Sequence, residues 1–383
     1  MVIRVQGASE VQNGIYYEYD TDIPPLGQGG MGVVYDGRCF KVDNPNVYIP
    51  VAIKKITATS HELVQRAIWE ASIQIQHPNI LRMFGFIPNM ELDPYTNAPV
   101  THYYVVMERI IGVDLYSVMH GQTYDKSGVH IEYANQIRNL YLYNRNRFVD
   151  VIMTSALNAI YALHSNAYIH RDIDPSNIMI TYQNEIKLID FGICKTISDS
   201  ADDGHKLTKA GAMIGKPDYA APELIVGDTA NHNETSDIYA LGIMLYELYT
   251  GELPFSGSTS EVTQAHLTKQ LPLDKVADNL LRDVIDKATK KEQGSRYQTV
   301  EEMIQDFEAW KETISLGELS DSHQPFSPIG MDEPVESVDY DIHPLEEQHE
   351  MEYSSSRNGS GKIIFACILG VILGFLFALL LML

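Results

Sequence analysis

The sequence predicts an α+β chain of two lobes, a β-rich N-terminal lobe and a helical C-terminal lobe, followed by one C-terminal transmembrane helix. Three observations predict it. Val33, Tyr35, Cys39, Phe40 and Val42 lie in a β-rich stretch punctuated by turn residues. Phe148–Ser165 and Ser236–Thr250 carry the apolar spacing of amphipathic or buried helices. Ile363 to Leu383 is 21 residues without a charge; at ~1.5 Å per residue such a helix spans about 30 Å, a hydrocarbon core. The expected organisation is an N-terminal extension (1–14), an N-lobe of mostly antiparallel strands plus one helix (15–113), a C-lobe (114–313), an acidic linker (314–362) and the span (363–383). At 383 residues the chain is long enough for two real cores.

From the N-terminus, the first chemical signal is the glycine-rich run Gly27-Gln28-Gly29-Gly30-Met31-Gly32. Alone, G-x-G-x-x-G could open a dinucleotide-binding helix. The β-rich residues after it argue instead for a strand, a glycine loop and a second strand, which covers phosphates with backbone N–H groups. Val51-Ala52-Ile53-Lys54 places a lysine on a strand to pair phosphates. Glu70, on a helical run from His61 to Gln76, is placed to hold Lys54 by an ion pair. Six residues separate Glu70 from His77-Pro78-Asn79-Ile80, which suggests a shortened helix end.

The densest signal is His170-Arg171-Asp172, then Asn177, then Asp190-Phe191-Gly192. A phosphoryl donor carries several negative charges, so transfer needs oxygen ligands for metal ions and a base that orients the attacking hydroxyl. In H-R-D-x-x-x-x-N the Asp takes the hydroxyl proton and the Asn binds metal; the D-F-G Asp binds the bridging metal.

With these motifs in order, the chain resembles the eukaryotic-type protein kinases over roughly residues 15–313, and is most similar to their bacterial membrane-anchored serine/threonine members. The resemblance implies ATP and Mg2+ or Mn2+ as cofactors, bound between the lobes. It implies Asp172 as catalytic base with Lys54, and Asn177 and Asp190 as metal ligands. Gly27, Gly29, Gly32, Val34, Ala52, Lys54, Glu70, Glu108, Ile110 and Asp114 would contact the nucleotide, with Met107 as gatekeeper. Asp237 resembles the buried acid that braces the catalytic loop, and Glu223 of Ala221-Pro222-Glu223 would pair with Arg296. Arg171 resembles the residue that receives a phosphorylated activation loop; the candidates are Thr196, Ser198, Ser200 and Thr208.

Two positions depart from the family. Asp174 stands where lysine is usual, and Lys216 where threonine is usual. An acid at 174 repels the transferred phosphate; at ~4 Å and an effective dielectric of ~20, two unit charges interact by about 4 kcal/mol, on the order of a thousandfold in rate. The expectation is a charge exchange, in which Lys216 supplies the lost ammonium, as a catalytic residue, and Asp174 holds it. Two function classes follow: an active protein kinase acting on Ser or Thr and expected to phosphorylate itself, with a dual or tyrosine preference as the alternative residue type, or a nucleotide-binding pseudokinase scaffold.

The rest of the sequence sets the context. The net charge of −23 argues against nucleic acid as a partner; the partners expected are protein substrates and a membrane. Residues 316–353 are rich in Asp and Glu without Lys or Arg, a disordered tether repelled by an anionic leaflet. Lys362 and Arg357 flank the span, which suggests a single-pass, tail-anchored protein with its kinase domain in the cytoplasm. Ala366, Gly370, Gly374 and Ala378 recur every four residues and could pair two such helices in a homodimer. Cys39, Cys194 and Cys367 suggest neither a disulfide framework nor a zinc site. Residues 121–147 read as an enlarged surface segment before the Phe148 helix.

Overall fold

The computed structural model describes residues 1–29, 32–56, 61–92, 98–191, 195–196, 215–228 and 231–321. Gly192, Cys194, Ser198, Ser200, Thr208, Cys367, the linker beyond Asp321, the apolar span 363–383 and its small-residue face all lie outside these residues. Among the described residues no helix is long and apolar enough to cross a membrane.

The N-terminal lobe is built on one antiparallel sheet in the order β1 (Val2–Val5), β2 (Ile15–Asp20), β4 (Gly32–Lys41), β5 (Asn44–Ile56), β7 (Pro99–Glu108) and β6 (Met83–Leu92), with β3 (Gly27–Gly29) paired to β4. Two helices belong to this lobe, α1 (Ala8–Gln12) and α2 (His61–Ser72), one more than the sequence suggests. The strict alternation of β5 explains how one sheet serves two cores. Ala52 and Ile56 join the main core with Val105 and Met107 of β7. Val51 and Ile53 face the other way, into a second cluster with Tyr17, Tyr19, Tyr104 and Val106. Val5 of β1 is fully buried in that second cluster. Residues 2–12 are therefore part of the lobe rather than an extension before it; a four-residue strand is too short to stand out in a sequence pattern.

The C-terminal lobe comprises β8 (Gly112–Asp114), α3 (Leu115–Met119), α4 (Glu132–Tyr143), α5 (Arg145–Ser165), β9 (Tyr168–Ile169), β10 (Ile178–Thr181), β11 (Ile186–Leu188), β12 (Lys195–Thr196), α6 (Pro222–Ile225), α7 (Glu234–Thr250), α8 (Thr259–Thr268), α9 (Asn279–Ala288) and α10 (Val300–Asp321). β8 pairs with β10, so the chain enters this lobe's small sheet at Gly112, slightly before the expected boundary. α10 runs past residue 313, where a linker was expected, to Asp321. The segment 121–147 holds α4, which packs against α5.

α5 and α7 form the centre of this lobe. Both begin a few residues before their first apolar position because an asparagine caps each. Asn144 accepts from Arg147 N–H, and Asn233 accepts from Thr235 N–H at 2.9 Å. α7 is buried nearly all round, the mark of a central helix. It stops at Gly251, whose φ of 85° lies in the left-handed region that glycine enters without cost.

The lobes are joined behind the cleft by backbone pairing. Leu81 N–H donates to Leu188 O at 2.9 Å, and Leu188 N–H to Asn79 O at 2.8 Å. Lys187 of β11 donates to both carboxylate oxygens of Glu108 at the end of β7, at 2.9 and 3.2 Å.

In the lower lobe Arg296, its side chain fully buried, grips both oxygens of Glu223 at 2.8 and 3.0 Å and also donates to the carbonyls of Thr235, Lys290 and Lys291. Burial alone would raise the Glu223 carboxyl, but the Arg296 hydrogen bonds and charge hold it below the ordinary range. Arg296→Ala would leave a buried charge unpaired. The expected loss is about 3–5 kcal/mol in chemical denaturation, with Arg296→Lys recovering only part of it, since one ammonium cannot span the same acceptors.

Candidate active site

The cleft between the lobes gathers residues from stretches of chain that are far apart in sequence. Its upper wall is the hairpin β3–β4, in register Gly27↔Val34 and Gly29↔Gly32. Gly32 lies so close to β5 that a Cβ on it would meet Lys55 O at 2.2 Å, so only glycine fits. Val34 sits opposite Lys54, and Ala52 opposite Met107. Lys54 Nζ donates to both oxygens of Glu70, at 2.9 and 2.8 Å. Both side chains are well buried. Burial works against the Lys54 charge, but Glu70 and Asp190 outweigh it and hold the ammonium above the usual lysine range. α2 ends at Ser72, so Glu70 stands in its last turn.

At the back of the cleft Glu108 N–H donates to Arg82 O at 2.9 Å, and the Ile110 carbonyl accepts from the Arg109 guanidinium. Arg109 also reaches Asp36 on β4 at 2.9 Å. The N–H of Glu108 and the carbonyl of Ile110 are thus already engaged. Asp114 caps α3: its carboxylate accepts from Ser117 N–H and Ser117 Oγ, both at 2.8 Å.

The lower wall is the loop 170–177 between β9 and β10. Asp237, at zero exposure on α7, accepts from His170 N–H at 2.8 Å, Arg171 N–H at 2.7 Å and His164 Nε2 at 2.9 Å. Burial would raise this carboxyl; the hydrogen bonds from His164 and the His170 N–H, with the electrostatic pull of those two residues, more than offset it and hold it low. Arg171 has φ 67° and Asp190 φ 64°, a conformation costing a non-glycine residue on the order of 1–3 kcal/mol. The Asp237 hydrogen bonds secure Arg171 in it. Phe191 is buried with its ring edge-on to His170, centroids 5.7 Å apart.

Around Asp172 the polar groups form one network. Asn177 Nδ2 donates to Asp172 O at 2.8 Å, Asp172 Oδ2 at 3.1 Å and Asp174 Oδ2 at 3.3 Å. Lys216 N–H donates to Asp172 Oδ1 at 3.2 Å. Lys216 Nζ donates to Asp174 Oδ1 at 2.7 Å and to Ser176 Oγ. Asp174 is buried, whereas the Lys216 side chain is 43% exposed. Gly215, at φ 80°, brings Lys216 in close; a Cβ there would meet Arg171 O at 2.7 Å. Burial lifts the Asp172 carboxyl above the usual aspartate range, and Asp174 lifts it further, against the pull of His170, Lys216 and Asn177.

The donor set suits a hard divalent cation. The Asn177 amide nitrogen is taken up by Asp172 and Asp174, which leaves its oxygen, a neutral donor, out of those hydrogen bonds. Among the described residues no three His, Cys, Asp or Glu side chains form a preformed metal cluster. Few protein oxygens, completed by phosphate and water, is the way Mg2+ is commonly held at phosphoryl-transfer sites.

The sequence picked out Lys54, Glu70, Asp172, Asn177, Asp190 and Lys216. It missed Ser176, which helps hold Lys216, and the contacts of Glu108 with Lys187 and of Arg109 with Asp36. No local pattern marks those contacts, because each joins residues distant in sequence.

A β-rich lobe over a helical lobe, with a glycine hairpin, a lysine–glutamate pair and a braced acidic loop facing one cleft, defines a phosphotransferase-type fold. The chain belongs to the protein kinase family: residues 21–308 match the model of the protein kinase domain. It is similar to the serine/threonine-protein kinase pkn3 of Myxococcus xanthus, 32% identical over 67% of this chain and 42% of that protein. PrkC of Bacillus subtilis is 30% identical over 76% and 40% of the respective lengths, and PknB of Mycobacterium tuberculosis 32% over 73% and 41%. The chain spans about two-fifths of the length of the curated relatives it matches.

Asp237→Asn would turn a donor towards His170 N–H or Arg171 N–H. The expected result is a loss of about 3 kcal/mol or more, with faster amide hydrogen exchange at His170 and Arg171. Unchanged exchange at those two amides would refute the brace.

Proposed function

We propose that this chain is an ATP-dependent protein kinase that phosphorylates serine or threonine of protein substrates, itself included. The observation that carries the reading is the convergence on one cleft of the Lys54–Glu70 pair and the Asp172–Asn177–Asp174–Lys216 network. The serine/threonine kinases among its relatives support the residue type.

When bound, ATP with Mg2+ or Mn2+ supplies the phosphoryl group and the metal charge that offsets its oxygens. The residues of this chain do the rest. The glycine hairpin covers the phosphates, Lys54 pairs with them, and Asn177 and Asp190 hold metal. Asp172 orients the substrate hydroxyl and takes its proton as the new O–P bond forms; the bond to the β-phosphate oxygen breaks and ADP leaves. Lys216, held by buried Asp174, returns to this point the positive charge that an acid at 174 would otherwise remove.

We read residues 363–383 as a membrane-spanning helix that tethers the kinase domain on the cytoplasmic side, with the acidic linker as spacer. Ala366, Gly370, Gly374 and Ala378 allow close packing of two such helices, which would favour phosphorylation in trans.

Full-length protein incubated with labelled ATP and Mg2+ or Mn2+ should label itself on Ser or Thr, and Asp172→Asn should not. A folded protein that binds ATP without labelling itself or a general substrate would establish a scaffold instead. Lys216→Thr should cost on the order of a hundredfold or more, and adding Asp174→Lys to it should restore activity; indifference to both changes would sink the charge exchange. The pH profile provides a signed check. Asp172 works deprotonated, so rate falls as pH drops through its pKa. Lys216→Met removes a charge that lowers this pKa and should move the acid limb to higher pH, whereas Asp174→Asn should move it to lower pH.

A further inference from the structure

Residues 121–131, between α3 and α4, form a small closed hairpin. Ile131 N–H donates to Thr123 O at 2.8 Å, and Tyr124 bridges to His130 with ring centroids 4.9 Å apart. At the tip the Asp125 carboxylate accepts from the N–H groups of Ser127 and Val129, at 2.9 and 2.8 Å, and from Ser127 Oγ. Gly128 takes the φ of 86° that the turn needs. The base is anchored by Gln122 N–H on Ser117 O of α3 and by fully buried Ile131. The hairpin is thus fixed by its own hydrogen bonds, and it carries Lys126 at its tip.

Lys126 is exposed, and its Nζ would lie 3.7 Å from a Cβ placed on Gly27. Gly27 opens the glycine hairpin of the upper lobe. The 121–131 hairpin follows α3, whose cap is Asp114 on the lower lobe. Lys126 therefore reaches across the mouth of the cleft from one lobe to the other. Its neighbour Asp125 is committed to the turn, and Lys126 takes part in no ion pair among the described residues. An ammonium with no direct ion-pair partner, held at the entrance to an anion's site, lowers the energy of that anion both on approach and once bound.

We infer that Lys126 is a nucleotide-recruiting residue, whose ammonium attracts and retains the polyphosphate of a nucleoside di- or triphosphate at the cleft mouth. The inference rests on the kinase reading for the identity of the cleft's ligand. It assigns to the 121–131 hairpin a share of nucleotide affinity that comes from charge and is therefore sensitive to salt.

The test is equilibrium binding of ATP, ADP and adenosine to the full-length protein, by displacement of a fluorescent nucleotide, at about 50 mM and about 500 mM salt. The proteins are the unaltered chain, Lys126→Glu, Lys126→Gln and Lys126→Arg. At low salt Lys126→Glu should bind ATP roughly tenfold more weakly and Lys126→Gln roughly threefold, with Lys126→Arg near the unaltered value. The differences should shrink at high salt, and adenosine should bind all four alike. ATP affinities indifferent to charge at 126, or an equal loss for adenosine, would overturn the inference alone. Failure of the unaltered protein to bind ATP would overturn the kinase reading and this inference with it.

Discussion

A single buried carboxylate organises the lower wall of the cleft. Asp237 has no exposure to solvent, yet it stays ionised because it accepts hydrogen bonds from two successive backbone N–H groups and a histidine ring. Those N–H groups belong to His170 and Arg171, immediately before Asp172. The brace secures Arg171 in a left-handed conformation that a side chain otherwise disfavours, and so fixes the direction in which the next residue points. α7 is buried nearly all round, so Asp237 stands on a helix held by packing on every side. The position of Asp172 is set by the core rather than by the loop that carries it.

A second constraint brings the other half of the network to the same place. Glu223 and Arg296 pair in the core and fix the start of α6. That places the preceding segment, with Gly215 and Lys216, against the 170–177 loop. The left-handed Gly215 allows the two backbones to meet closely. Lys216 then uses both ends, its N–H on Asp172 and its ammonium on Asp174 and Ser176. An ion pair with one partly exposed member has a modest net energy. Its importance here is positional, since it sets where positive charge stands beside Asp172.

The upper wall follows different physics. Alternation along β5 sends Lys54 and Ala52 to the cleft face and Val51 and Ile53 to a second core on the reverse face. β1 supplies part of that second core, so the roof of the cleft is packed on both sides. Backbone pairing of residues 79–81 with β11, and the Glu108–Lys187 ion pair, tie this roof to the lower lobe.

Much of the site was legible because its chemistry is local in sequence. Asp172 and Asn177 are separated by one turn of loop, and a lysine in V-A-I-K alternates onto one face whatever surrounds it. The central helices were visible from their apolar spacing, although their starts, set by the capping side chains of Asn144 and Asn233, lay a few residues earlier than the apolar pattern. What the sequence determined by itself was which residue types recur at which spacing: the strand-borne lysine, the acidic loop, the glycine hairpin and the departures at 174 and 216. Only the tertiary structure decided that Ser176 completes the seat of Lys216, that residues 2–12 belong to the upper lobe, and that Lys126 faces Gly27. Those facts depend on distances between segments tens to hundreds of residues apart, and such distances are fixed by how the two cores pack, which no local pattern encodes.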